Sequence, residues 1–227
     1  KGNVKRRPEF AKLNMHAAEK AKKLSAFNSA ATYVSTGIMC LPRDKWTQYH
    51  DLTLHLYTLG AEVELALGRA ETMEAYSSEV LSRSDCSALE KFSLYETKAN
   101  KLSSLDLKYE ETIDFCLKVL KELDLKLMVH SALQPIQAIS SLLRTVRMTK
   151  KAPEQVYKDL KPVNDPKQDA VMALLARLIH ASFLCNNGFV LIIASTKMAR
   201  LTVQFGVNVH SGFGFSTLRL LTFAVLG

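Results

Sequence analysis

Leu52-Thr53-Leu54-His55-Leu56-Tyr57-Thr58-Leu59-Gly60-Ala61-Glu62-Val63-Glu64-Leu65-Ala66-Leu67-Gly68-Arg69-Ala70-Glu71 decides the fold. Its apolar side chains recur at steps of three and four, the spacing of one face of an α-helix, and nothing in it alternates as a strand would. Gly68 interrupts the pattern, and the same spacing resumes behind it, so the stretch predicts a helix over about Thr47–Leu67, a turn at Gly68, and a second helix over Arg69–Leu81. Two helices joined by so short a turn must lie antiparallel. Small residues where they approach, such as Gly60, Ala61, Ala66 and Ala75, fit that contact.

The same plan extends on either side. Upstream, the pattern predicts a pair over Pro8–Leu24 and Phe27–Leu41, with Pro8 in a first helical turn, Pro42 as the stop, and Ala18, Ala21, Ala30 and Ala31 at the contact. Downstream it predicts Ala88–Leu105, a turn at Asp106–Lys108, and Tyr109–Leu123. Laid over one another, the pairs place Ala30, Met73 and Thr112 at equivalent positions of each second helix, 43 and 39 residues apart. A repeating helical hairpin cannot bury its apolar face alone and must stack on its neighbours. The expected fold is therefore all-α, a tetratricopeptide-like superhelical stack of antiparallel hairpins, with a period longer than the roughly 34 residues of a strict tetratricopeptide.

Three blocks are expected: three hairpins over 1–130, a helix (about Pro135–Thr149) with a proline-containing connector over 131–165, and an apolar helical hairpin block over 166–227. Asp165 and Pro166 have the chemistry of an N-cap and a first helical position, opening a helix to about Leu184. Asn186-Asn187-Gly188 reads as the next turn, followed by a helix ending near Gly206 and a last one from about Gly214. Lys1 is not a methionine and Gly227 follows an unfinished apolar pattern, so both ends are expected to be cuts in a longer chain.

With 48% hydrophobic and 23% charged residues the chain has enough apolar material for a core, which excludes a disordered segment. Net charge is +8, but residues 1–23 alone contribute +6, whereas Tyr57–Glu90 carries seven acids against Arg69 and Arg83. A basic groove along the molecule is not expected. Cys40, Cys86, Cys116 and Cys185 are far apart with no C-x-x-C pair, which suits free thiols in a reducing, cytoplasmic setting better than a zinc site or disulfide framework. The uninterrupted apolar run at 189–195 is shorter than the ~20 residues of a membrane helix, so no membrane span is expected.

Several strings together carry a family resemblance: Phe10-Ala11-Lys12-Leu13-Asn14 with Ala17, Ala18, Ala21 and Ala30; Tyr33, Gly37 and Leu41-Pro42; Trp46 and Leu52-Thr53-Leu54-x-Leu56-Tyr57. Tyr95-Glu96-x-Lys98, Ile113 with Leu117-x-Val119-Leu120 and Leu123, Asp165-Pro166-Lys167, and Lys197-Met198 with Leu201 and Gly206 follow in order. The chain resembles the helical-repeat region of large AAA/STAND-type predicted-ATPase signalling proteins. In that architecture a serine/threonine-kinase-like domain and the ATPase precede the repeats, and a GAF domain and often a histidine kinase follow them. The resemblance implies a non-catalytic interaction or scaffold segment that couples an ATPase switch to kinase or sensor output, partnered by a protein or by neighbouring domains. It lapses after Gly206, where Val207-Asn208-Val209-His210 stands in place of a short polar turn.

No string in the chain predicts catalysis, a cofactor or a metal. A phosphate-binding loop needs G-x-x-x-x-G-K-[ST], and the closest glycine cluster, Ser211-Gly212-Phe213-Gly214-Phe215-Ser216, lacks the lysine and follows no strand, so it reads as an inter-helix turn. Of the histidines His16, His50, His55, His130, His180 and His210, His50 and His55 are five apart and diverge, His55 shares a helical face with Asp51 for an exposed ion pair, and His180 reads as a hydrogen-bonded core residue. Glu62/Glu64 and Glu110/Glu111 point apart on a helix and read as solvated, as do Lys20, Lys22 and Lys23. No G-x-S-x-G elbow is present. Two other functions compete with the scaffold: a small-molecule sensor pocket around Leu178, Phe183, Phe189 and Ile193, and nucleic-acid binding through residues 1–23.

Overall fold

A computed structural model describes residues 8–129, 132–151 and 159–226; their regular structure is all helical, with no strand among them. The order is α1 (Pro8–Lys23), α2 (Phe27–Cys40), a single turn α3 (Lys45–Gln48), α4 (His50–Ala66), α5 (Ala70–Leu81), α6 (Phe92–Asn100) running into a π-helical turn (Lys101–Leu105), α7 (Tyr109–Glu122), α8 (Gln134–Lys151), α9 (Pro166–Leu184), α10 (Gly188–Phe205) and α11 (Ser211–Leu226). The chain divides into two compact units, Lys1–Lys98 and Ala99–Gly227. That boundary falls inside the first helix of the expected third hairpin, and α7 packs against α9 within the second unit.

The hairpin turns share one construction. Ser25, Gly68, Leu107, Asp124 and Asn186 each follow a helix with φ between +52° and +71°. Directly behind them, the N–H groups of Ala26, Arg69, Leu125 and Asn187 reach back five residues to the carbonyls of Ala21, Glu64, Leu120 and Ser182 at 2.8–2.9 Å. This left-handed closure satisfies carbonyls that the helix end would otherwise leave bare. Lys108 N donates across six residues to Leu102 O, the extra residue being the width of the π turn. Ser25, Gly68 and Leu107 are 43 and 39 residues apart, the same spacing as Ala30, Met73 and Thr112, which are all fully buried.

In the first unit, α1 packs on α2, α2 on α4 and α4 on α5. A Cβ on Gly60 would sit 2.8 Å from Tyr76 and 2.9 Å from Val34, and one on Gly37 would sit 2.9 Å from Leu56, so α2, α4 and α5 touch where side chains are smallest. Ala18, Ala21, Ala30, Ala31 and Ala61 are buried at these contacts, whereas Ala66 and Ala75 are exposed. The expected helix from Thr47 is broken at Tyr49. There Lys45 and Trp46 form a polar knot: Trp46 Nε1 donates to Glu79 (2.9 Å), Lys45 Nζ donates to Tyr57 Oη (2.6 Å) and pairs with Glu79 (3.0 Å), and the Arg83 guanidinium lies 4.4 Å from the Trp46 ring centre. Ser87 and Glu90 form a reciprocal capping box before α6, with Ser87 N donating to Glu90 Oε2 (2.7 Å) and Glu90 N to Ser87 Oγ (3.2 Å).

In the second unit, α9 and α10 form an apolar hairpin against which α7, α8 and α11 pack. Asp165 Oδ1 accepts from Lys167 N (2.8 Å) with Pro166 in the first turn, the cap expected from the sequence. Helix α10 is long and apolar enough, by length and composition alone, to cross a membrane, a property that the short run at 189–195 did not disclose; ten of its residues are buried inside the unit, as in a core helix. The α10–α11 link is a backbone bridge: Val163 N donates to Val207 O (2.9 Å) and Val207 N to Lys161 O (2.8 Å). Gly206 has φ +114°, and a Cβ there would lie 2.3 Å from Lys161 O, so only glycine fits. Helix α11 begins at Ser211, three residues before the expected start, because Asn208 and Ser211 cap it and Thr202 Oγ1 donates to Ser211 Oγ at 3.1 Å. Of the connector, 152–158 lies outside the described residues.

Candidate functional site

Helix α4 presents Asp51, His55, Thr58 and Glu62 at steps of four, three and four, one continuous face. That face floors a cleft of about 740 Å³, walled by Glu19, Lys22 and Lys23 of α1 on one side and by Glu90 and Ser93 at the start of α6 on the other. Helices α1 and α4 and the start of α6 thus meet at one cleft. A second cleft, about 520 Å³, lies between the N-terminal ends of α1 and α4 and shares Asp51 and His55 with the first.

Most charges of the cleft are paired between helices rather than along them. Glu62 accepts from Lys22 Nζ through one oxygen and from Ser93 Oγ through the other, joining all three walls. Glu19 bridges His16 Nδ1 (3.2 Å) and His55 Nε2 (2.8 Å), and Glu90 holds His50 Nε2 (3.1 Å). The hydrogen bond from His16, opposed by partial burial and aided by His55, keeps the Glu19 carboxyl below its usual range; the Ser87 hydroxyl and amide do the same for Glu90. Asp51 and Lys23 are exposed and have no partner among the described residues, and Thr58 Oγ1 is buried at the cleft without a hydrogen bond. Four carboxylates against two lysines leave the lining acidic when histidines are neutral.

Several expectations are corrected here. His55 pairs with Glu19 of α1 and not with Asp51, because the side chain crosses the cleft. Glu62 and Glu64 are not solvated: Glu62 is half-buried between Lys22 and Ser93, and Glu64 is 5% exposed, with Oε2 3.5 Å from Arg69. Lys22 is likewise engaged, while Lys20 and Lys23 face solvent. His180 is exposed on α9, not in the core. Of the residues suggested for a pocket in the C-terminal helices, Leu178 and Ile193 are buried, and Phe183 and Phe189 are 67% and 43% exposed. Glu110 and Glu111 are exposed. The glycine cluster at 211–216 forms the first turns of α11, where a Cβ on Gly214 would lie 2.3 Å from Met198: its glycine serves helix packing. Lys1, Lys5, Arg6, Arg7 and His130 lie outside the described residues.

Among the described residues no three His, Cys, Asp or Glu side chains are grouped to hold a metal ion. The four cysteines are free, Cys86 and Cys116 being buried; burial pushes the Cys116 thiol up to about 12, with Arg177 opposing, which keeps that thiol protonated near neutrality. Comparison with protein-family models, with curated proteins and with solved structures finds no match.

The sequence did not disclose the cleft because its pairs are distant in the chain. Lys22 and Glu62, like His50 and Glu90, are 40 residues apart. Opposite charges at the repeat spacing were the available signal.

Proposed function

We propose that this chain is a non-catalytic, tetratricopeptide-like interaction segment of a larger cytoplasmic, ATP-dependent signalling protein, which couples an ATPase switch to kinase or sensor output by holding a partner protein or a neighbouring domain. One observation carries this reading: α1, α4 and the start of α6 line one cleft, with a free carboxylate, Asp51, at its floor. Stacked hairpins use such a concave surface to seat an extended segment. The surplus of carboxylates favours a segment bearing lysine or arginine, and four free cysteines support a reducing location.

The test uses the neighbouring domains of the full-length open reading frame, expressed separately and titrated against this chain. Binding that weakens with added salt and falls at least about tenfold in Asp51→Lys supports the reading, since a reversed charge at the floor repels a basic segment. ATP turnover by this chain alone, or binding indifferent to Asp51→Lys, overturns it.

A further inference from the structure

Helices α8, α10 and α11 contain no aspartate or glutamate at all. Between α8 and α10, which pack together, the chain nevertheless gathers basic side chains: Arg144 on α8, and Lys197 and Arg200 three residues apart on α10. Arg200 and Lys197 are half-buried. Burial lowers the basicity of both, and each has a further positive neighbour working in the same direction, Arg144 for Arg200 and Arg200 for Lys197. None of the three forms an ion pair among the described residues. The single carboxylate within α9, Asp169, accepts from Asn208 Nδ2 (2.9 Å).

What holds Arg200 is neutral. Its Nε donates to the Thr196 carbonyl (3.2 Å) and its Nη2 to Ser141 Oγ (3.1 Å). The Thr196 hydroxyl donates to the Ile193 carbonyl (3.0 Å), so the 2.7 Å contact between the two hydroxyls runs from Ser141 to Thr196, and Ser141 offers Arg200 a lone pair. Two of the five guanidinium N–H groups are thereby fixed and three remain without an acceptor among the described residues. A half-buried cation with unused donors beside two other cations raises the energy of the fold unless something negative arrives.

We propose that the α8–α10 seam is an anion site that takes a phosphate dianion, with Arg200 as the oriented fork, Lys197 and Arg144 as flanking charges, and Ser141 as the residue that aims the fork. A doubly charged oxyanion suits three cations better than a single carboxylate, and its oxygens match the guanidinium geometry. This site lies apart from the cleft of α1, α4 and α6 in the chain, and its existence does not depend on the scaffold reading.

The full chain is titrated with inorganic phosphate, and separately with phosphoserine, at constant ionic strength set with chloride. Melting temperature and calorimetric affinity are both read. The expected result is a rise in melting temperature beyond that in chloride alone, and an affinity at least about tenfold weaker in Lys197→Met and in Arg144→Gln, with Lys118→Gln, an exposed position of α7, unchanged. Tighter binding of phosphoserine than of phosphate assigns the site to an esterified phosphoryl group, and equal binding to the free oxyanion. Lys197→Met should also melt higher than the wild type without ligand, because it removes an unpaired charge; a merely structural lysine would give the reverse. A phosphate response equal to that of chloride, or identical in wild type and both variants, overturns the site.

Discussion

The two units treat charge differently. In residues 8–98, Lys22, Lys45, His50, His55 and Lys98 each meet a carboxylate of another helix or turn, so that charges serve as ties between hairpins. In 99–226 one such tie recurs, Lys167 to Asp124 (2.6 Å), but the α8–α10 seam leaves three cations unpaired, and the Lys161–Val163 segment is tied to Val207 by backbone. Paired surface charges contribute little each and are easily exchanged, whereas a backbone bridge built around one glycine tolerates no substitution. The first unit should therefore yield gradually to mutation and the second abruptly.

The sharpest way to break this contrast is Gly206→Ala. Its φ of +114° is closed to L side chains, and the new Cβ would meet the Lys161 carbonyl. The expected loss is about 3 kcal/mol, backbone strain plus the lost bridge, read from the denaturant midpoint. A loss under about 1 kcal/mol would mean that the bridge does not hold the second unit.

In the first unit the corresponding test is the tie at Glu62. Glu62→Ala frees Lys22 and Ser93 together, yet both partners keep access to water, so the expected loss is about 1 kcal/mol. A double-mutant cycle with Lys22→Ala should return a coupling of about 0.5 kcal/mol; zero coupling would reduce the tie to a surface coincidence.

Helix content and most hairpin ends were legible because they depend on short-range spacing: Ala30, Met73 and Thr112 fell on buried positions, and Asp165-Pro166 capped as its chemistry dictates. The partner of each helix was less legible. Tyr109–Glu122 continues the hairpin pattern in sequence but packs with Pro166–Leu184, since apolar faces of similar width do not name their partners. The candidate cleft was invisible at the level of single helices, where Glu62 and His55 look like solvated residues; only a match of charges 36 to 40 residues apart would have exposed it.

Acidity and alkalinity should separate the units. Glu79 is held below its ordinary value of 4.5, first by the Trp46 indole N–H, against burial, and then by Lys45. A depressed carboxyl contributes stability that is present above 4.5 and lost as pH falls through its folded value, so Glu79→Gln should flatten the acid limb of a melting-temperature profile. Lys197 is also depressed, but as a base: its charge opposes folding at neutral pH, and the penalty fades as pH climbs toward 10.5. The gain from Lys197→Met should shrink over that alkaline range. A constant gain from pH 7 upward would show that packing rather than charge sets it.

The smallest expected effect distinguishes equivalent turns. Gly68 and Leu107 occupy matching left-handed positions, at φ +71° and +52°, in turns closed by backbone bonds that span five and six residues. Leucine there pays about 1 kcal/mol of steric strain, offset in part by the greater freedom that glycine loses on folding. Leu107 is 61% exposed, so little packing is lost on its removal. Leu107→Gly should accordingly stabilise the chain by about 0.5 kcal/mol, and Gly68→Ala, whose Cβ would meet no atom within 4 Å, should destabilise it by about 1 kcal/mol through φ alone. If both substitutions destabilise, Leu107 is held by contacts of its side chain and the turns are equivalent in shape only.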